Sequence, residues 1–135
     1  MIYRNKNVPE LIVSHLEKSL AFWVGILGFT ILYERTEERF VYLDLNGVQF
    51  MLEEHQEDQW VTAPLVPPFG RGVNFQIDVE HQDMILSALE KNHYPLFSAP
   101  QERVYQVNNT ERVQRQFLVQ DPDGYLLRLV QVINH

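Results

Sequence analysis

Residues 115–131 read RQFLVQDPDGYLLRLVQ, and this stretch decides the fold of the chain. Two runs of apolar, β-favouring residues flank the tetrapeptide Asp121-Pro122-Asp123-Gly124. In such a tetrapeptide, proline fixes φ, aspartate accepts hydrogen bonds from its own backbone, and glycine adopts a positive φ. The stretch therefore predicts a strand, a tight turn and a second strand.

The same pattern occurs earlier in the chain. Asn46-Gly47 separates a strand predicted over Phe40–Leu45 from a return strand over residues 48–52. A hairpin that occurs twice indicates a domain built from two similar halves. Each half is predicted to run strand, helix and three strands, so that one helix covers one face of a small sheet.

The predicted elements divide the chain into two modules within a single domain of residues 1–135. The first module spans 8–54, the connection 55–71, and the second module 72–133. In the first module, a strand at 8–13 precedes a helix with a capping box at Ser14 and Glu17 and a left-handed end at Gly28. In the second module the predictions are a strand at 73–79, a helix at 83–91, a strand at 94–97 and a polar loop at 98–113 before the closing hairpin.

Composition and charge are those of an ordinary globular protein. The chain has 135 residues, 45% of them hydrophobic and 21% charged, which fits one domain with a substantial core. It has no cysteine, no signal-peptide pattern and no apolar run of membrane-spanning length, so we expect a cytoplasmic protein that does not associate with membranes. The net charge of −7 argues against a nucleic acid partner and favours a cationic ligand, although it also serves solubility alone.

Four stretches resemble the vicinal oxygen chelate superfamily, which contains the glyoxalases, extradiol dioxygenases and bleomycin resistance proteins. They are LEKSLAFW followed by LGF (16–29), NGVQFMLEE (46–54), FGRGVNFQIDV (69–79) and RQFLVQDPDGYLLRLVQ (115–131). The last two look most like the bleomycin-resistance branch. The resemblance implies an α+β fold in which two βαβββ modules with curled mixed sheets form a shared cavity, commonly in a homodimer.

Enzymes of this superfamily usually hold a divalent metal between side chains of the first and last strands of each module. Carried over residue by residue, these positions fall on Val8, Met51, Asn74 and Arg128. Valine has no donor atom, methionine sulfur is soft, a neutral amide alone is a weak ligand, and arginine is a fixed cation. The resemblance thus implies the fold, while these residues argue against a metal, and we expect no cofactor.

If these four positions face the cavity, the period of two along each strand predicts which other side chains face it. The predicted ligand-binding residues are Glu10, Phe40, Gln49, Met51, Glu53, Trp60, Phe69, Asn74, Gln76, Asp78 and Arg128. A solvated sheet face would show the same polar pattern, and phenylalanines more often serve the core. Arg128 can be the centre of a structural ion pair or can hold an anionic ligand group. The polar loop at 101–116, with Tyr105, can close over the site.

Three hypotheses of function follow. In the first, the protein binds a small organic ligand, antibiotic-like and possibly cationic, and sequesters it in a dimer cleft without a metal or a catalytic residue. In the second, it is a metal-dependent lyase, isomerase or dioxygenase with nonstandard ligands such as Glu53 and His55. In the third, it is a metal-free enzyme or regulatory protein in which Glu10, Glu53 or Asp78 acts as a general base.

Overall fold

The chain folds into two compact units that meet between Phe69 and Gly70 in sequence. The structure, a computed structural model, describes residues 2–134. Each unit contains a strand, a helix and three further strands, which form a four-stranded mixed sheet. The prediction of an α+β fold built from two βαβββ modules is therefore confirmed.

The first unit has its parallel strand pair at one edge of the sheet. Its elements are β1 (Glu10–Val13), α1 (Leu16–Trp23), β2 (Thr30–Arg35), a 3-10 turn (Thr36–Glu38), β3 (Phe40–Leu45) and β4 (Val48–Glu54). The strand order is β1-β4-β3-β2, with β1 parallel to β4 and the other pairs antiparallel. Asn46 and Gly47 have φ values of 49° and 91°, which are the positive angles that a tight two-residue hairpin requires.

The second unit repeats this arrangement. Its elements are β5 (Asn74–Asp78), α2 (Gln82–Lys91), β6 (Ser98–Val107), β7 (Thr110–Gln120) and β8 (Leu126–Val132). The strand order is β5-β8-β7-β6, and β5 runs parallel to β8. The two sheets have the same topology, as the repeated hairpin predicted.

The largest difference from the sequence prediction lies between residues 94 and 113. Residues 94–97 are not a strand, and the predicted polar loop is instead the hairpin of β6 and β7, which turns at Asn108-Asn109. Glu, Arg and Gln side chains suggested a loop, but cross-strand pairs such as Val104 with Val113 give this ribbon its strand structure. The pair Asn108-Asn109 could have indicated this hairpin, because asparagine tolerates the positive φ of a tight turn, and Asn108 has a φ of 56°.

The core of the first unit is an aromatic cluster between α1 and the sheet. Trp23 is fully buried, and its ring centroid lies 6.1 Å from that of Phe22, 5.2 Å from Phe29 and 4.9 Å from Phe50. Gly28, with a φ of 91°, ends the turn after α1 as predicted, and the Phe29 N–H donates to the Trp23 carbonyl at 3.0 Å. This closure brings Phe29 back onto Trp23.

A residue of strand β4 caps the start of α1. The N-cap is His15, one residue later than predicted, and its side chain makes no capping hydrogen bond. Instead, the Leu16 N–H donates to Glu54 Oε2 at 2.9 Å, and Glu54 Oε1 lies 2.8 Å from Arg39 Nε. A carboxylate from β4 therefore serves the free N–H group of the helix, which a local sequence pattern cannot indicate.

These contacts make the stability of the first unit dependent on pH. The pKa of Glu54 is lowered from its usual value of 4.5, mainly by the hydrogen bond from the Leu16 N–H. The Arg39 guanidinium lowers this pKa further. Because the folded pKa is the lower one, the stabilisation is complete above the unfolded pKa and is lost as pH falls through the folded pKa. We expect Glu54→Ala to lower the free energy of unfolding by about 1 kcal/mol at neutral pH, as N-cap losses do. Urea unfolding at neutral and acid pH measures this loss, which should shrink in acid.

Glu17→Ala is the matched control, because Glu17 lies exposed in the first turn of the same helix. It should change stability by only a few tenths of a kcal/mol, as expected for a charge near a helix dipole. Equal losses for Glu54→Ala and Glu17→Ala would contradict the capping role of Glu54.

Candidate functional site

Two carboxylates lie on one face of the first sheet. Glu10 on β1 is level with Met51 on β4, and Glu53 follows two residues later on β4. Burial raises the pKa of Glu10, repulsion from Glu53 raises it further, and Arg35 opposes both effects. Glu53 also accepts a hydrogen bond from Gln59 Nε2 at 2.7 Å. A carboxyl group with a raised pKa beside a second carboxylate is suited to proton transfer.

The centre of this face is aromatic and covered by side chains of the same unit. Phe40 is buried, and the Arg35 guanidinium lies 3.9 Å from the centre of its ring. Tyr42 is also buried, with Tyr33 stacked on it at 5.0 Å and the Arg4 guanidinium at 5.5 Å. A ligand would have to displace Arg35 to reach the ring of Phe40 from this side.

Gln49 holds the segment that precedes β1. Its Nε2 donates to the Tyr3 carbonyl at 2.8 Å and to Asp44 Oδ1 at 3.0 Å. Its Oε1 accepts from the Asn5 N–H at 2.8 Å and from the Tyr42 hydroxyl at 2.5 Å. These bonds use the full hydrogen-bonding capacity of the amide, so the structure gives Gln49 a positioning role within the first unit.

The two aromatic residues predicted in the connection have opposite environments. Trp60 is 96% exposed, whereas Phe69 is buried. Between Glu54 and Asn74 the described chain contains no helix or strand. The side chain of Trp60 is therefore accessible to a ligand, whereas that of Phe69 is buried.

The second unit contains a cavity on the polar face of its sheet. The cavity has a volume of about 280 Å³ and is open on one side. It is lined by Gln76, Tyr105, Val107, Arg112, Gln114 and Arg128. Gln76 and Arg128 are level on the neighbouring strands β5 and β8, and the other four residues belong to the hairpin of β6 and β7. This hairpin borders the sheet face where the sequence predicted a closing loop.

A chain of polar contacts joins the two arginines of this cavity. Arg128 Nη2 donates to Gln76 Oε1 at 2.6 Å, and Gln76 Nε2 donates to Asp78 Oδ1 at 3.1 Å. Asp78 Oδ2 lies 3.9 Å from Arg112 Nη2. The Nε atoms of Arg112 and Arg128 are buried and have no hydrogen-bond partner within the described part of the chain. Arg128 is therefore held by an amide rather than by a carboxylate.

Sequence reasoning found part of this lining and missed the rest. Gln76 and Arg128 follow from the period of two, and Tyr105 was assigned to the closing segment. Arg112 and Gln114 were missed because they fell in or beside the predicted loop. Alternation along β7 would have placed both on one face of the sheet.

The four positions that the resemblance relates to a metal do not fit a divalent cation. Val8 precedes β1, Met51 and Asn74 offer weak donors, and Arg128 is itself a cation that donates to Gln76. Among residues 2–134, no three His, Cys, Asp or Glu side chains lie together as metal ligands. Glu53, one of the alternative ligands, thus belongs to no such group.

Over the range 2–134, neither helix has the length and apolar character needed to cross a bilayer.

Comparisons with known proteins agree with this fold. The model of the Glyoxalase/Bleomycin resistance protein/Dioxygenase superfamily matches residues 7–129. A superfamily member of known structure from Vibrio splendidus 12B01 is 40% identical over 93% of this chain and 97% of that chain, with a TM-score of 0.43. No curated protein matches the chain at a significant level.

Two more distant structures show the same fold. A virulence protein from Salmonella typhimurium has a TM-score of 0.68 and 17% identity, covering 98% of this chain and 100% of that chain. A fosfomycin resistance protein from Listeria monocytogenes has a TM-score of 0.58 and 20% identity, covering 95% of this chain and 91% of that chain. The family match over residues 7–129 confirms the resemblance seen in the sequence. This chain belongs to the glyoxalase/bleomycin resistance protein/dioxygenase superfamily.

Proposed function

We propose that this protein binds a small organic molecule without a metal and sequesters it, as a cytoplasmic homodimer with a ligand cleft. The cavity of the second unit is the observation that carries the proposal. It brings five polar side chains, two of them arginines, together with the apolar Val107. In small-molecule sites, polar groups of this kind set the orientation of the ligand.

Metal independence is supported by the residues themselves. Arg128 occupies a position that the resemblance relates to a metal ligand, and its positive charge would repel a divalent cation there. Antibiotics are the class of ligand that the comparisons suggest, because the family description names bleomycin resistance and a structural neighbour is a fosfomycin resistance protein. The net charge of −7 favours a cationic ligand, whereas the arginines of the cavity favour an anionic group.

A second candidate function is metal-free acid–base catalysis on the first sheet. The raised pKa of Glu10, beside Glu53, favours this alternative. A carboxyl group with a raised pKa can take up or release a proton nearer neutral pH than one at the usual value. Exposed Trp60 lies in the connection that follows β4 and is available for stacking.

We expect the purified protein to contain substoichiometric divalent metal by elemental analysis. After chelator treatment, it should still bind a member of a panel that includes bleomycin and fosfomycin, with a saturable isotherm in titration calorimetry. The bound molecule should be recovered unchanged by mass spectrometry, and light scattering should give the mass of a dimer.

Three results would contradict parts of this proposal. Stoichiometric metal whose removal abolishes binding would establish a metal-dependent protein. Conversion of the ligand by chelator-treated protein, lost in Glu10→Gln, would establish the second candidate. A monomer that binds the ligand fully would exclude the dimer cleft.

A further inference from the structure

We infer that Arg112 and Arg128 form an oxoanion site in the cavity of the second unit, which holds the carboxylate, phosphate or phosphonate group of a small organic acid. This inference rests on the proposed function, since it names the class of ligand for the same cavity. It concerns the second unit alone and uses no residue of the first.

The charge of the lining supports an anion. The cavity is lined by two guanidinium groups and by no carboxylate. Asp78 lies beside it, but its pair with Arg112 is long, at 3.9 Å, and the two side chains are 59% and 42% exposed. An exposed pair of this length compensates little charge. Arg128 has a neutral partner, Gln76. The cavity is thus locally positive in a chain whose net charge is −7.

The unsatisfied donors support the same conclusion. The Nε–H groups of Arg112 and Arg128 are buried, and no acceptor within residues 2–134 receives them. A buried donor without a partner is costly, and both donors belong to guanidinium groups that line the cavity. Guanidinium groups bind oxoanions in a planar, two-pronged geometry that uses adjacent N–H groups. The 2.6 Å bond to Gln76 fixes the orientation of Arg128 in advance.

Two further donors are held loosely enough to turn towards a ligand. The Tyr105 hydroxyl and Gln114 Nε2 both donate to Gln116 Oε1, each at 3.3 Å, which exceeds the usual range for good hydrogen bonds. Val107 offers an apolar surface to the carbon atoms of the ligand. The volume of about 280 Å³ lies near the lower end of the range of roughly 300–1,000 Å³ for ligand pockets, so it fits a small acid.

The test is a calorimetric titration of the full chain with inorganic phosphate and with succinate, at constant ionic strength set with sodium chloride. We expect saturable binding of at least one anion and none of tetramethylammonium, a cation of similar size. Preference for phosphate assigns a phosphoryl-type group to the ligand, and preference for succinate assigns a carboxylate. Arg112→Met and Arg128→Met should each lower the affinity for the preferred anion about tenfold or more, as loss of a charged hydrogen bond does.

Arg115→Met is the matched control. Arg115 lies on the same strand as Arg112, and its substitution removes the same charge. However, Arg115 pairs with Asp83 of α2 at 3.1 Å and does not line the cavity. It should leave anion binding unchanged. Arg128→Lys keeps the charge without the two-pronged geometry and provides a second variant if Arg128→Met does not fold, as checked by circular dichroism. Its affinity should lie below that of the parent.

Two outcomes would overturn the inference. One is equal weakening by Arg115→Met, which would indicate nonspecific charge attraction. The other is no binding of phosphate, succinate or fosfomycin by a protein that still binds bleomycin, which would leave the proposed function intact. Conversely, anion binding by a protein that requires a metal or converts its ligand would refute the proposed function while the oxoanion site stands.

Discussion

Replacing Trp23 by alanine is expected to lower the free energy of unfolding by about 3–5 kcal/mol, as truncation of a large buried aromatic side chain does. Trp23 is 0% exposed and contacts the rings of Phe22, Phe29 and Phe50 in edge-on or tilted geometry. Its removal takes away a large buried surface and leaves a cavity between α1 and β4. Urea unfolding followed by circular dichroism measures the loss.

The other tryptophan of the chain provides the control. Trp60 is 96% exposed, so Trp60→Ala should change the free energy of unfolding by no more than about 0.5 kcal/mol. Trp23→Phe, which keeps an aromatic ring, should lose less than Trp23→Ala. If Trp60→Ala were as destabilising as Trp23→Ala, the assignment of Trp23 to the core and Trp60 to the surface would be wrong.

The contrast between these tryptophans shows what sequence patterns can predict. Trp23 lies in a segment with helical periodicity, and the periodicity indicates which side faces the core. Trp60 lies in a connection without periodicity, where no pattern gives the exposure of a side chain. From the sequence, Trp60 could either contact a ligand or pack on its own domain. Only the structure shows that the ring is exposed.

The fold was predictable wherever turn chemistry and alternation agreed. Asn46-Gly47 and the turn from Asp121 to Gly124 mark their hairpins because few residues adopt positive φ angles at low cost. The hairpin of β6 and β7 was not predicted because both of its strands carry charged and amide side chains. Its stability comes from pairing along ten or more residues, which a local window does not show.

For the candidate site, the sequence predicts only on which face of the sheet each side chain lies. The period of two placed Gln76 and Arg128 on the polar side of the sheet, where both line the cavity. It also placed Gln49 on the polar side of the first sheet, yet the amide of Gln49 is used by Tyr3, Asn5 and other neighbours. Contacts between distant segments determine which polar side chains remain available to a ligand. The periodicity of a single strand gives no information on these contacts. The ligand-binding role of these residues stays a prediction until a ligand is found.

The turn between β7 and β8 is the other place where a single change should have a large effect. Asp121 is 3% exposed, and its Oδ1 accepts the N–H of Asp123 at 3.0 Å and the N–H of Tyr125 at 2.9 Å. The Gly124 N–H donates to the Asp121 carbonyl at 2.9 Å, and Gly124 has a φ of 104°. The side chain thus accepts hydrogen bonds from two backbone donors of the turn.

We expect Asp121→Ala to lower the free energy of unfolding by about 3 kcal/mol. Two hydrogen bonds to a charged acceptor are lost, each worth about 1.5–3 kcal/mol, and water entering the turn recovers part of this. Because the turn begins β8, the variant should also weaken anion binding at Arg128. Urea unfolding and the phosphate titration measure the two effects.

Asp121→Asn separates the hydrogen bonds from the rest of the substitution. The Asn side chain keeps an oxygen at the position of Oδ1, so both N–H groups retain an acceptor, although a neutral one. The loss of stability should therefore be less than half of that for Asp121→Ala. Equal losses in the two variants would show that the negative charge, rather than the acceptor geometry, holds the turn. In that case the charge of Asp121, five residues before the first residue of β8, would hold this hairpin and with it the position of Arg128.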